Sequence, residues 1–291
     1  MPSLIDIRRR IRSVKNTQQI TKAMKMISAA RLRRAQDRMY AARPYSAALR
    51  EVLASIAARV DATQHPLLRT RDEVKNALFV VVTGDRGLCG AFNTNVLRNS
   101  QYAIADSGLG TGAVAVLPIG RKANDFFRRR TVPVRRAGIQ VADALSLEVA
   151  RDIAKDMIEA YVSGEVDAVY VVHNEFKSVI AQIVRVTQLL PIERLEPRAE
   201  DPTAGTVDYI YEPGPEQILS ELLPKYVEFA LYRILLESAA AEQGARMTAM
   251  ESASKNASDM IANLTLTYNR IRQASITKEI IEIVSGAAAA G

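Results

Sequence analysis

The residues best placed to do chemistry stand at 84–90, where Gly-Asp-Arg-Gly-Leu-Cys-Gly follows an apolar, strand-like run and precedes a helix-like one. A glycine-rich loop in that position is where phosphates are cradled, because backbone N–H groups at a helix start point at the anion. The spacing argues against such a role. G-x-x-G-x-x-G is not the dinucleotide pattern G-x-G-x-x-G, and the G-K-[ST] ending of a P-loop is missing. Arg86 alone is a phosphate ligand of the right kind, and a tight structural turn is the better reading. The Gly-Leu-Gly-Thr-Gly stretch at 108–112 reads as a loop. Cys89 has no histidine near it in sequence, so it reads as packing rather than as a nucleophile. His173 falls at the end of a strand-like run with no acid or nucleophile pattern beside it, and reads as a polar cap. Glu193, Glu196, Glu200 and Asp201 cluster in a Pro-rich loop, whereas general acid–base work needs at least one carboxylate desolvated. One cysteine and two histidines, His65 and His173, leave little material for a metal site. The expectation is no catalytic, cofactor-binding or metal-binding residue, and no cofactor.

The elements that would carry such residues are of two kinds. Eleven of the fourteen glycines lie between Gly84 and Gly214, where the apolar period shortens to strand length. Strands are expected at 77–83, 113–119, 168–174 and 181–189, and helices at 91–107, 121–130 and 142–163. Alternating strands and helices make an open α/β sheet of Rossmann-like kind. On either side the glycines nearly vanish. The first 83 residues contain none, which reads as one long helix from residue 3 to about 59, bent near Pro44. A second helix is expected from about 216, broken only by Pro224 and Gly244 before Gly286. The organisation is a helix at 1–60, a connector at 61–76, an α/β domain at 77–190, a loop at 191–215, a helix at 216–286 and a tail at 287–291.

Both terminal segments carry a coiled-coil repeat. In the second it runs Met247, Met250, Ser254, Ala257, Ile261, Leu264, Tyr268 and Ile271; in the first it runs Leu4, Ile7, Ile11, Val14, then Gln18, Thr21, Lys25, Ser28, then Leu32, Ala35, Met39 and Ala42. The middle block is polar, and Ile20, Met24 and Ile27 offer an apolar stripe on the adjacent face. The seam is therefore expected to step sideways there and return. The two helices should pair antiparallel, since each otherwise leaves its apolar stripe in water at roughly 25 cal/mol per Å².

Charge points to a partner. Residues 1–50 hold thirteen Lys and Arg against Asp6 and Asp37, about +11 in a chain whose total is +7. An acidic protein surface is one reading. A nucleic-acid backbone is another, with Arg31, Arg33, Arg34, Arg38, Lys22 and Lys25 tracking phosphates, although aromatic interleaving is limited to Tyr40 and Tyr45. A nucleotide-binding α/β enzyme with helical arms is a third. The longest apolar run, 77–82, is far too short to span a bilayer, and one cysteine suits a cytoplasmic setting.

The residues themselves resemble a known family, the gamma subunit of bacterial-type F-type ATP synthases. The resemblance runs through the whole chain. It is carried by Asn16-Thr-Gln-Gln-Ile-Thr-Lys-Ala-Met-Lys-Met-Ile-Ser-Ala-Ala-Arg31, by the turn at 84–90, and by Arg272-Gln-Ala-Ser-Ile-Thr-Lys-Glu-Ile-Ile-Glu-Ile-Val-Ser-Gly286. It implies a non-catalytic rotor shaft standing in a ring of three alpha and three beta subunits. The α/β domain would lie beside the epsilon subunit and the c-ring, peripheral to the cytoplasmic face of the inner membrane. By that resemblance Arg272, Gln273, Thr277 and Glu279 engage alpha and beta loops, with Met24 and Lys25 nearby on the opposing helix. Ile283 and Val284 sit in an apolar bearing, and Arg31, Arg33 and Arg34 face acidic lever segments of beta. Tyr209, Tyr211 and Glu212 form the foot that meets epsilon and the c-ring. The implied work is coupling proton-driven rotation to ATP synthesis, reversible as ATP-driven proton pumping.

Overall fold

A computed structural model describes residues 3–57, 65–71, 73–110, 112–136, 145–193 and 214–290. In chain order the elements are α1 (Leu4–Ala57), β1 (Ala77–Val82), α2 (Phe92–Asp106), β2 (Val114–Ile119), α3 (Arg121–Phe127), α4 (Leu147–Val162), β3 (Ala168–Phe176), β4 (Gln182–Leu190) and α5 (Pro215–Ala290). The chain divides into two compact units. One joins the first residues up to Ser28 with those from Arg246 onward; the other spans Ala29–Ala245.

The larger unit is built on a mixed sheet in the order β2-β1-β3-β4. β1 pairs in parallel with β2 and β3, and β4 runs antiparallel beside β3. Every residue of β1, Ala-Leu-Phe-Val-Val-Val, is buried, as a central strand covered on both faces must be. Its alternation separates two cores. Leu78, Val80 and Val82 pack with Leu53 and Ile56 of α1, Ile153 and Met157 of α4, and Leu223 and Val227 of α5. Phe79 and Val81 pack with Val96 of α2 and with Ala123 and Phe127 of α3. The sheet is thus a middle layer with helices on both sides.

Asp167 fixes the start of β1. Its carboxylate accepts the backbone N–H groups of Lys75 and Asn76, each at 2.8 Å, and an ion pair from Arg71. Burial alone would raise its pKa, but these donors outweigh that and hold it below the usual carboxylate value. α3 ends at Phe127 rather than at 130, because the chain then turns out to the edge of the sheet. There the Val116 N–H donates to the Pro133 carbonyl at 2.8 Å, and the Arg135 N–H to the Val116 carbonyl at 3.0 Å. α5 continues through Pro224, where a lost backbone bond is offset by buried Leu219, Leu223, Val227 and Leu231. It also continues through Gly244. A Cβ there would lie 3.3 Å from the Val179 carbonyl oxygen of the β3–β4 turn, so the missing side chain is what admits the turn against the helix.

The smaller unit is a pair of antiparallel helical segments. Lys25 pairs with Glu251 at 2.6 Å, the Thr21 and Ser254 hydroxyls share a hydrogen bond at 2.7 Å, and the Arg8 guanidinium donates to the Tyr268 hydroxyl at 2.6 Å. Contacts that fall together as one number rises and the other drops can only be antiparallel. The seam of α5 is as the repeat predicts, with Met250 and Ala257 buried and the other six positions partly covered. The seam of α1 differs from the expected sideways step. Thr21 and Ser28 are buried and Gln18 and Lys25 half-buried, while Ile20 and Ile27 stand 59 % and 55 % exposed. The polar block stays in the seam because its groups find partners there, Thr21 in Ser254 and Lys25 in Glu251.

Candidate functional site

The turn after β1 is held by Asn93, one residue into α2. Its side-chain oxygen accepts the Gly84 N–H at 2.9 Å, and its amide donates to the Arg86 carbonyl at 3.2 Å and lies 3.2 Å from the Cys89 sulfur. Asp85 is turned inward and accepts the Arg121 N–H at 2.8 Å. The turn's polar groups are therefore spent on its own construction, and Cys89 is buried at 1 % exposure, which is the structural reading expected of both. Sequence spacing gave no signal for Asn93, since an amide acting across an eight-residue gap has no periodic signature.

Beside this turn lies a half-open cleft of about 320 Å³. Arg31, Arg34 and Arg38, one face of α1 at spacings of three and four, form one wall; Thr83, Gly84 and Asp85 with Glu242 of α5 form another. The structure thus brings Arg31 and Arg34 together, adds Arg38 and Glu242, and leaves Arg33 out of the lining, exposed on α1. Arg38 entered the sequence reading only as a phosphate-tracking residue, and Glu242 not at all.

A second surface is the end of α5. Leu4, the first residue of α1, falls opposite the level of Ile271 when counted from the Thr21–Ser254 and Lys25–Glu251 pairs. Beyond Ile271 the helix has no partner from α1. Arg272, Gln273, Thr277 and Glu279 are all exposed, and so are Ile276, Ile280, Ile281, Ile283 and Val284, the last two at 72 % and 62 %. Glu279 accepts a hydrogen bond from Ser275 at 3.3 Å, a local contact that leaves its outer face free for others. Met24 and Lys25 are not near this group. Lys25 stands opposite Glu251, and Arg272 lies roughly 30 Å further along the helix at 1.5 Å per residue, because the antiparallel register puts residues 24 and 25 level with the middle of the seam.

His173 is not a polar cap. It is buried at 3 % exposure within β3, and burial, with Arg233 and Arg185 nearby, pushes its pKa down to about 4. Glu193 is exposed; Glu196, Glu200 and Asp201, like Tyr209, Tyr211 and Glu212, lie outside the described residues. No helix among the described residues is long and apolar enough to cross a membrane.

Comparison with known proteins agrees with this arrangement. The family described as ATP synthase matches residues 3–290. The ATP synthase gamma chain of Solibacter usitatus is 55 % identical over the full length of both chains, and that of Chlorobium phaeobacteroides is 50 % identical over 99 % of each. Among solved structures, a central stalk and c-ring structure of the Tetrahymena thermophila mitochondrial ATP synthase contains a chain matched with a TM-score of 0.60 at 26 % identity, covering 81 % of this chain and 99 % of that one. A chain of the Euglena gracilis mitochondrial ATP synthase shares the fold at a TM-score of 0.70 and 20 % identity, covering 98 % and 94 %. A paired helical stalk, an α/β domain without an assembled catalytic site, and these relatives lead to one conclusion: the chain belongs to the ATP synthase gamma-chain family, non-catalytic subunits of the enzyme's central stalk.

Proposed function

We propose that this chain is the axle of a bacterial ATP synthase, peripheral to the cytoplasmic face of the inner membrane. In this reading its two exposed surfaces are read by a surrounding ring of three alpha and three beta subunits. The observation that carries the reading is the end of α5, where four exposed isoleucines and a valine extend beyond the last level that α1 covers. Apolar surface of that kind on a helix marks a contact. Ile283 and Val284 turn in an apolar bearing, and Arg272, Gln273, Thr277 and Glu279 engage polar loops below it. Lower down, Met24 and Lys25 present a further contact, and Arg31, Arg33 and Arg34 face acidic segments of beta. Residues 191–215, with Tyr209, Tyr211 and Glu212, supply the foot for epsilon and the c-ring.

The mechanism follows from asymmetry. An axle made of two unlike helices has no threefold symmetry, so it presents a different face to each of three beta subunits and biases each nucleotide site toward a different conformation. Turning the axle permutes those biases. Proton flow through the membrane ring drives the turn in synthesis, and ATP hydrolysis drives it in reverse. The nucleic-acid and α/β-enzyme readings give way to this one, because the family accounts for the whole chain. Purification from cells through a tag on this chain tests the proposal: alpha and beta subunits should follow in a ratio of three and three to one. Stoichiometric nucleotide binding by the isolated chain in calorimetry would speak for an enzyme instead.

A further inference from the structure

Leu88 is, among the described residues, the only non-glycine with positive φ, at +64°. Its side chain is also 64 % exposed. Each feature costs the isolated chain something. An L side chain in the left-handed region crowds the following carbonyl, and an apolar side chain in water gives no burial in return. Two residues on, the same turn needs φ of +58° and places Gly90 there. At position 88 a glycine would serve the turn equally well, so the isolated fold does not account for the leucine.

The surroundings supply an account. The turn is a rigid frame: Asn93 ties Gly84 and Arg86, Asp85 ties Arg121, and the neighbouring Cys89 is packed inside. Leu88 is therefore held outward rather than collapsing onto its own chain. Gly84 and Asp85 of the same turn form a wall of the cleft whose other wall carries Arg31, Arg34 and Arg38. An apolar knob next to an arginine-lined cleft is complementary to an acidic surface with an apolar pocket in it. We infer that Leu88 is the apolar anchor of the contact between this chain and the acidic segments of beta, seated in an apolar pocket while the arginines pair with the carboxylates around it. The inference rests on the reading of Arg31 and Arg34 given above and adds the residue that fixes where that contact sits. Charge pairs are screened by salt, while an apolar contact is not. The anchor is what keeps the two surfaces in place at physiological ionic strength.

The test uses the full-length chain assembled with alpha and beta subunits, in three forms: Leu88→Gly, Leu88→Asn, and the pair Arg31→Gln with Arg34→Gln. Two quantities are measured, the thermal midpoint of the isolated chain and its dissociation rate from the assembled ring at low and high salt. Leu88→Gly should keep or raise the midpoint and speed dissociation about tenfold at both salts. Leu88→Asn, which tolerates the backbone but lacks the apolar surface, should behave like Leu88→Gly. The double arginine variant should speed dissociation at low salt only. If Leu88→Gly leaves dissociation unchanged while the arginine variant acts, the anchor is wrong and the arginine contact survives. If neither acts, both readings fall. A clear drop in midpoint for Leu88→Gly, or tight binding by Leu88→Asn, also overturns the anchor, because the side chain would then serve the turn or bind through something other than its apolar surface.

Discussion

Gly120 sits at φ +90°, and a Cβ built there would lie 2.1 Å from the Thr83 carbonyl oxygen. The same Thr83 accepts the Ala123 N–H on its hydroxyl at 2.8 Å, so the strand end and the start of α3 are locked together where the glycine permits contact. Gly120→Ala should destabilise the isolated chain by about 3 kcal/mol or more, read as a lower thermal midpoint, because backbone cannot move aside. Gly84→Ala is the contrasting case. Its Cβ would come within 2.7 Å of the Glu242 carboxyl, the end of a flexible side chain that can swing away, so its effect should be much smaller. His173 gives a prediction with a pH axis. Its pKa falls from 6.5 to about 4 on folding, through burial and the nearby Arg233 and Arg185, with Glu175 opposing. The folded state therefore favours the neutral ring. That contribution is fully present above pH 6.5 and is lost as pH falls towards 4, up to ~3 kcal/mol at 1.36 kcal/mol per pKa unit. Urea titrations of the wild type and His173→Leu between pH 7 and 4 should converge in slope only if another group dominates; the expected result is a shallower pH dependence in the variant.

At the scale of elements, the helix pair in the smaller unit depends on a polar step in an otherwise apolar repeat. Thr21 and Ser254 are level with each other across the seam, and slipping either helix by a heptad would set a hydroxyl against an apolar side chain. Thr21→Val alone should cost about 1 kcal/mol, since Ser254 loses its partner, and Thr21→Val with Ser254→Ala should recover most of it. Thermal unfolding of the four members of that cycle measures the coupling. This is also where the sequence was hardest to read. The repeat of α5 was legible residue by residue because its positions are apolar or small. The polar block of α1 was misread as a sideways step, because Ile20 and Ile27 are better apolar candidates than Thr21 and Ser28, and the hydrogen bond that favours the latter depends on a residue 233 positions away. The four strands were legible from their apolar runs to within a residue or two. Their order was not, because it depends on which edges meet. The end of α3 was overrun because Arg128 keeps a helical conformation as the cap, and the bridge from Val134 to Val116 that draws the chain away is a tertiary contact.

For the whole molecule, the question is which parts can transmit torque. Where α1 and α5 lie side by side, a twist must deform two helices and the contacts between them. Past Ile271 the strain falls on one helix alone, whose backbone bonds can swivel once its hydrogen bonds open. The candidate contacts therefore differ in kind: the arginine cleft lies on braced structure and the Ile283–Val284 end does not. The native thiol of Cys89 is buried, so single cysteines introduced elsewhere can be oxidised selectively. A disulfide between Arg34→Cys and a cysteine in a facing segment of beta should abolish steady-state ATP turnover and release it on reduction. A disulfide from Ile283→Cys to the ring should slow turnover less, because only the lone helix has to give. Sustained multi-site turnover with the Arg34→Cys link demonstrably intact would show that the axle need not turn for the enzyme to work, and would remove the mechanical reading of this chain altogether.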